Sequence, residues 1–301
     1  MEFTEPALTL EQQIALLRER KLVIANEEYA IHTLQNIGFY RLALHYRILQ
    51  QEPQKHEFIE GKTFEDAITL YNLDRELRMF LFNAIEMIEV GFKARINNTM
   101  SVTHGPWWFE DDTLFKNREH YHEAVEDIDN ETKRSNEEFV KSHFVKYSNP
   151  SRLPSWKLLE ILSLGTVSKI YMNLTDSIEK KEIAKSLELP NHLWLESWMM
   201  SIAVLRNLCA HHCRIWCKNF MYPPKIMQPT KRKWIEPFKT PVHNEYLYYQ
   251  MCAVKYLVNA IQPDNILTDQ LKNIVVNYQN KGINFTDIGM DEHWQNEKLW
   301  Q

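Results

Sequence analysis

The sequence predicts an all-α protein, and three observations carry that reading. Glycine is scarce, 7 in 301 residues, which suits long helices joined by short turns. Apolar residues step by three and four from Phe64 to Met100, the period of one helix face rather than of a strand. A second apolar run, Leu193–Trp216, keeps the same period and is interrupted by a polar cluster near its end.

Taken in order, residues 9–20 read as a helix capped by Thr9, with Gln12 at the position that closes a capping box. Asn26–Gln35 forms a second helix, which Gly38 breaks. Phe39-Tyr40-Arg41-Leu42 opens a third. Its Arg41 and His45, four apart, form either an RNA-facing flank or a surface pair beside core aromatics. Gln50–Gly61 is polar, holds one proline and reads as a linker.

Across Phe64–Met100, one helix or two, Leu70, Leu73, Leu77, Leu81, Ala84, Ile88, Phe92 and Ile96 trace a core stripe. Asp74, Arg75, Arg78, Glu86, Glu89, Lys93 and Arg95 occupy the rest. A glutamate buried there needs an arginine or amide partner, and Arg206 is one candidate for Glu86 or Glu89. His104-Gly105-Pro106-Trp107-Trp108 is a sharp turn into an aromatic anchor. The dense charge of Asp111–Tyr147 marks a solvated helix face with a mobile loop, or else a flap over a site.

Pro154-Ser155-Trp156 starts another helix, with Trp156, Leu159, Ile161, Leu162 and Leu164 on its apolar side and Glu160 as a buried carboxylate among them. Residues 168–174 continue it or start the next. Ser177–Leu187 adds a helix with Lys180, Lys181 and Lys185 exposed. Leu193–Trp216 follows Pro190 and Asn191, and its tryptophans are expected in the core rather than as platforms for bases. Tyr222-Pro223-Pro224 stops it. Tyr246–Ile261 and Leu267–Gln279 are two further helices, after which Ile288-Gly289-Met290 and Trp294 fold back onto the body. Three segments result: an N-terminal helical segment over 1–60, a core over 61–222 that carries the polar cluster, and a C-terminal helical extension over 223–301.

Composition removes several functions. The chain has 35 basic and 40 acidic residues, a net charge of −5, so nucleic acid could be held only by local clusters. No Gly-rich phosphate loop is present. The first residues lack a basic and apolar leader, and no apolar run reaches the ~18 residues of a membrane span, so a cytoplasmic protein without membrane contact is expected. Cys209, Cys213 and Cys217 recur every fourth residue without paired C-x-x-C geometry; they read as small core residues of a reducing compartment, and no metal is expected.

The chemistry concentrates in Ser201–Trp216, SIAVLRNLCAHHCRIW. On a helical wheel with Arg206 at the origin, Ala210, Arg214, Asn207 and His211 fall within roughly 140° on one flank. Leu205, Leu208, Cys209, Ile202 and Trp216 fall opposite, and His212 lands among them, which predicts His211 exposed and His212 in the core. A guanidinium forks onto phosphate oxygens, an imidazole moves protons near neutral pH, and Asn207 can hydrogen-bond the ring or a phosphate oxygen. RNA brings its own nucleophile, the 2′-hydroxyl, so an acid/base and an anion clamp suffice. Farther on, Lys225, Lys231, Arg232, Lys233 and Lys239 stand against one acid, Glu236, with Trp234 and Phe238 interleaved. This is a candidate RNA contact, or equally a solvated connecting loop.

The segment Arg206–Trp216, R-N-L-C-A-H-H-C-R-I-W, resembles the Abi-like (abortive infection, AbiD/AbiF-type) proteins of bacteria, whose core is similar to the HEPN superfamily with its R-x(4–6)-H motif. The likeness runs along most of the chain, through Ile37–Leu42, Leu70–Arg78, Ala84–Val90, His104–Trp108, Pro154–Ser168 and Trp198–Asn207 in the family's order. It implies a HEPN-like helical bundle with added N- and C-terminal helices, usually dimeric, acting as a metal-independent endoribonuclease in phage defence or a toxin–antitoxin system, with no cofactor. It implies Arg206 as phosphate clamp, His211 as acid/base and Asn207 beside them, with Glu86, Glu89 and Arg78 in support. Arg214, Lys231, Arg232 and Lys233 are the expected RNA contacts. The expected partners are substrate RNA, a regulatory structured RNA, a second copy of the chain and an antitoxin. The alternative is a non-catalytic module that binds RNA or protein through the same surface.

Overall fold

Twelve α-helices, one small hairpin and six short 3-10 helices make up the regular structure in a computed structural model that describes residues 6–52, 54–227, 233–235 and 243–301. In chain order they are α1 (Leu10–Glu19), α2 (Glu27–Ile37), α3 (Phe39–Tyr46), β1 (Gln50–Glu52), β2 (Glu57–Phe58), α4 (Phe64–His104), α5 (Arg118–Arg134), α6 (Glu138–Lys146), α7 (Ser155–Ile161), α8 (Leu164–Asn173), α9 (Ile178–Ser186), α10 (His192–Ala210), α11 (Leu247–Ile261) and α12 (Leu267–Gln279). The all-α expectation holds. No helix among the described residues is long and apolar enough to cross a membrane.

Local chemistry sets most of these bounds. Thr9 and Gln12 form the expected capping box of α1, and Thr63 with Asp66 forms a second one at the start of α4. Once started, α4 runs unbroken for 41 residues, about 60 Å at the usual rise per residue. It ends where Gly105 adopts a left-handed φ of 85°. Its stripe from Leu70 to Ile96 is buried as the periodicity requires, and α3, α7, α9, α10, α11 and α12 pack around it. Gly91 permits the approach of α11: a Cβ there would lie 2.8 Å from the Ile261 side chain. Trp108, Ile288, Met290 and Trp294 are buried, so the aromatic anchor and the returning tail are also as expected.

Four local readings are corrected. Gln50–Gly61 is not a plain linker: β1 and β2 pair antiparallel there, and Phe58 packs edge-on against Tyr46 at 5.1 Å. Strands of two or three residues are too short to show a period. In α7 the buried side is Ser155, Leu158 and Leu159, which turns Glu160 and Trp156 out to solvent. Lys180 is fully buried rather than exposed, because its Nζ meets the Met172 and Leu174 carbonyls at 3.1 and 2.7 Å and Glu196 at 2.5 Å. Last, α10 stops at Ala210, well short of Trp216.

Candidate functional site

The end of α10 sets the site. His211 is its C-cap and His212 follows with a left-handed φ of 56°. The His212 N–H donates to the Cys209 carbonyl at 3.1 Å and the Cys213 N–H to the Leu208 carbonyl at 2.9 Å. These two bonds form a Schellman closure, in which the left-handed position is usually glycine. A histidine there gives no sign of it in the sequence. The wheel therefore fails beyond Ala210, and His212 is exposed, not a core histidine.

Residues from α3 and α4 hold the chain that leaves the helix. The Arg41 guanidinium donates to the His212 carbonyl at 2.9 Å, and Arg78 to the Cys213 carbonyl at 3.4 Å. Asp74, fully buried, accepts the N–H groups of Ile215 and Trp216 at 2.9 and 2.7 Å through one oxygen. Its other oxygen accepts from Arg78 and from His45 Nε2, the latter at 3.0 Å. A buried carboxylate with that many donors is satisfied. His45 is buried here rather than on a surface flank; burial, with the guanidiniums of Arg78, Arg214 and Arg41, pushes it down to about 4 against the pull of the Arg41 carbonyl. Burial also lowers Arg78.

The residues expected to act are distributed as follows. Arg206 is one-third exposed, with Nε 3.8 Å from Glu89, a guanidinium N–H 3.5 Å from the Asn207 side-chain oxygen, and its carbon 5.8 Å from the Phe82 ring centre. Asn207 and His211 are exposed on the last turn and cap. Glu89 is the carboxylate that meets Arg206, although Lys93 holds it more closely at 2.8 Å; Glu86 is exposed. Arg214 is not on the solvent flank. Its guanidinium turns back onto the Trp216 and Cys217 carbonyls at 2.5 and 3.2 Å, half-buried, because the chain is no longer helical there.

The basic–aromatic stretch is taken apart as well. Trp234 stacks on Trp198 in the core at 5.4 Å, so its ring is not offered to bases, and Lys233 donates to the Gln301 carbonyl at 3.2 Å. Lys225 lies over the Trp194 ring at 4.9 Å. Lys231, Arg232, Phe238 and Lys239 lie outside the described residues. Of the three cysteines read as core, Cys209 is buried, Cys217 is partly so and Cys213 is exposed. Among the described residues, Asp176, His192 and Glu196 are the group whose ligand atoms converge, all within 4.8 Å. The Lys180 ammonium lies against two of them, 2.5 Å from Glu196 and 3.7 Å from Asp176, where a cation would sit.

Sequence reasoning missed a groove of about 780 Å³ beside the end of α10, bounded by α2, α3 and α4. Arg41, Arg75 and Arg78 line it with His212, Tyr71 and Phe82, and none of its described lining residues is acidic. The one available signal was arginine at 41 in one helical segment and at 75 and 78 in another. Nothing in the linear order brings residue 41 to residue 75.

The model of one protein family, described as Abi-like protein, matches residues 32–217. That is more than half of the chain, and the chain belongs to this family, which is linked to abortive infection. No curated protein and no solved structure matched.

Proposed function

We propose that this Abi-like protein is a metal-independent endoribonuclease of the HEPN type, acting in phage defence. The observation that carries the reading is that Arg206, Asn207 and His211 reach solvent at one helix end, beside a groove whose charged side chains are arginines. Arg206 is partly held by Glu89 and Phe82, which orients the guanidinium yet leaves a third of it open.

A single motif supplies one imidazole at position 211. In-line cleavage is easier with base and acid on opposite sides of the phosphate, so the active species is a two-fold dimer with both motif ends facing one cleft. One His211 takes the 2′-hydroxyl proton as that oxygen bonds to phosphorus. The other protonates the 5′-oxygen as its bond to phosphorus breaks. The arginines balance the charge on the phosphorane, and the products are a 2′,3′-cyclic phosphate and a 5′-hydroxyl.

Total RNA incubated with the purified protein in EDTA tests the reading. Cleavage with cyclic-phosphate ends, lost in Arg206→Ala and His211→Ala, is expected. Tight binding with RNA left intact would replace the nuclease with a binding module. A strictly monomeric protein that remains fully active at micromolar concentration would remove the composite site.

A further inference from the structure

We infer that the groove between α2, α3 and α4 is a docking channel for single-stranded RNA that leads its phosphates to the motif end of α10. The inference rests on the nuclease reading for its direction but not for the binding itself. In a chain of net charge −5, this surface gathers three guanidiniums and, among its described lining residues, no carboxylate. Asp74 offsets part of that charge from beneath, through Arg78. Arg41 and Arg75 are exposed, and neither is ion-paired among the described residues. Such a site concentrates the field that a polyanion needs.

Shape and chemistry favour a strand over a single nucleotide. The α4 wall runs from Tyr71 to Asn83, about 18 Å at the helical rise, far longer than one phosphate site. Phe82, exposed toward one end, offers a ring on which an unpaired base can stack, and Tyr71, half-buried against His45, lines the other. Arg75 can fork onto phosphate oxygens or lie flat on a base, and Arg41, which spends one donor on the His212 carbonyl, has further N–H groups for a phosphate. Asn83 adds an amide that reads base edges without sign preference, and Asn36, whose Nδ2 donates to the His32 carbonyl at 2.7 Å, adds its side-chain oxygen. Continuity with the motif is direct. Ala210 and His212 line the groove, and Phe82 lines it while carrying the Arg206 guanidinium 5.8 Å from its centre. A strand leaving the channel passes the clamp.

The test uses the full chain and a fluorescent single-stranded oligoribonucleotide made uncleavable by 2′-O-methylation. Arg75→Glu, and separately Asn36→Asp on the opposite wall, should each weaken binding about tenfold or more. For Arg75→Ala the slope of log affinity against log salt should fall by about 0.7, the change that accompanies one phosphate left without its arginine. His211→Ala should bind within about twofold of the unaltered protein while losing cleavage of ordinary RNA. Undiminished binding by both folded charge variants, or no binding by the unaltered protein, overturns the channel. So does equal, Arg75-dependent affinity for a double-stranded oligomer. Because the probe cannot be cut, a chain that binds it through Arg75 yet cleaves no RNA sinks the nuclease reading and leaves the channel standing.

Discussion

Asp74, on the long helix α4, accepts the N–H of Trp216 at 2.7 Å across 142 residues of sequence. The same carboxylate holds Arg78, which in turn reaches the Cys213 carbonyl. One buried anion thus fixes both the chain leaving α10 and a guanidinium in the floor of the groove. Asp74→Ala leaves a buried arginine without its counter-charge and two N–H groups without an acceptor, so a loss of about 3–5 kcal/mol is expected. Asp74→Asn keeps one acceptor oxygen and should lose less. Denaturant midpoints order the two, and an equal cost for both would show that the hydrogen bonds to the loop contribute nothing.

His45 makes stability depend on pH. Its pKa is depressed from 6.5 to about 4 by burial and by the nearby guanidiniums, which outweigh the Arg41 carbonyl and the Asp74 carboxylate 3.0 Å away that favour the proton. Between these values the unfolded chain binds the proton and the folded chain does not. Stability is therefore full above about 6.5 and declines as pH falls towards 4, by up to about 3 kcal/mol from this group. His45→Gln keeps a donor for Asp74 without titrating. Its stability should change less between pH 7 and pH 4 than that of the unaltered protein; parallel curves would contradict the assignment.

His212 is exposed and left-handed, so its substitution tests the end of α10. His212→Ala should cost no more than about 1 kcal/mol, because no packed ring is removed. His212→Gly should be at least as stable as the unaltered protein, since glycine adopts positive φ without the roughly 1–2 kcal/mol that it costs other residues. Thermal unfolding reads both. A loss above about 2 kcal/mol in the alanine variant would put the imidazole back in the core.

Lys180 is wholly buried with three close acceptors: the Met172 and Leu174 carbonyls and Glu196. Lys180→Met removes the ammonium and leaves those oxygens unpaired, although Lys116 still lies 3.3 Å from Glu196. A loss of about 3 kcal/mol is expected. An unchanged unfolding midpoint would mean that Lys116 alone neutralises the site.

The linear sequence was enough wherever an interaction is local. The Thr9–Gln12 box, the stripe of α4 and the span of α12 follow from residues three or four apart, and each forms as its spacing implies. It also set Arg206 and Asn207 on one flank of α10, which needs only the helical pitch, but it carried that helix on through His211 to Trp216. The stop at Ala210 was illegible. A histidine in place of glycine closes the helix, and the groups that hold the departing chain come from Arg41, Asp74 and Arg78, more than 130 residues away. For the same reason Arg214 turned inward, His212 turned outward and His45 was sealed. Period and capping are properties of neighbouring residues; charge satisfaction inside a core is a property of whatever the fold brings into contact, and only the tertiary structure decides that.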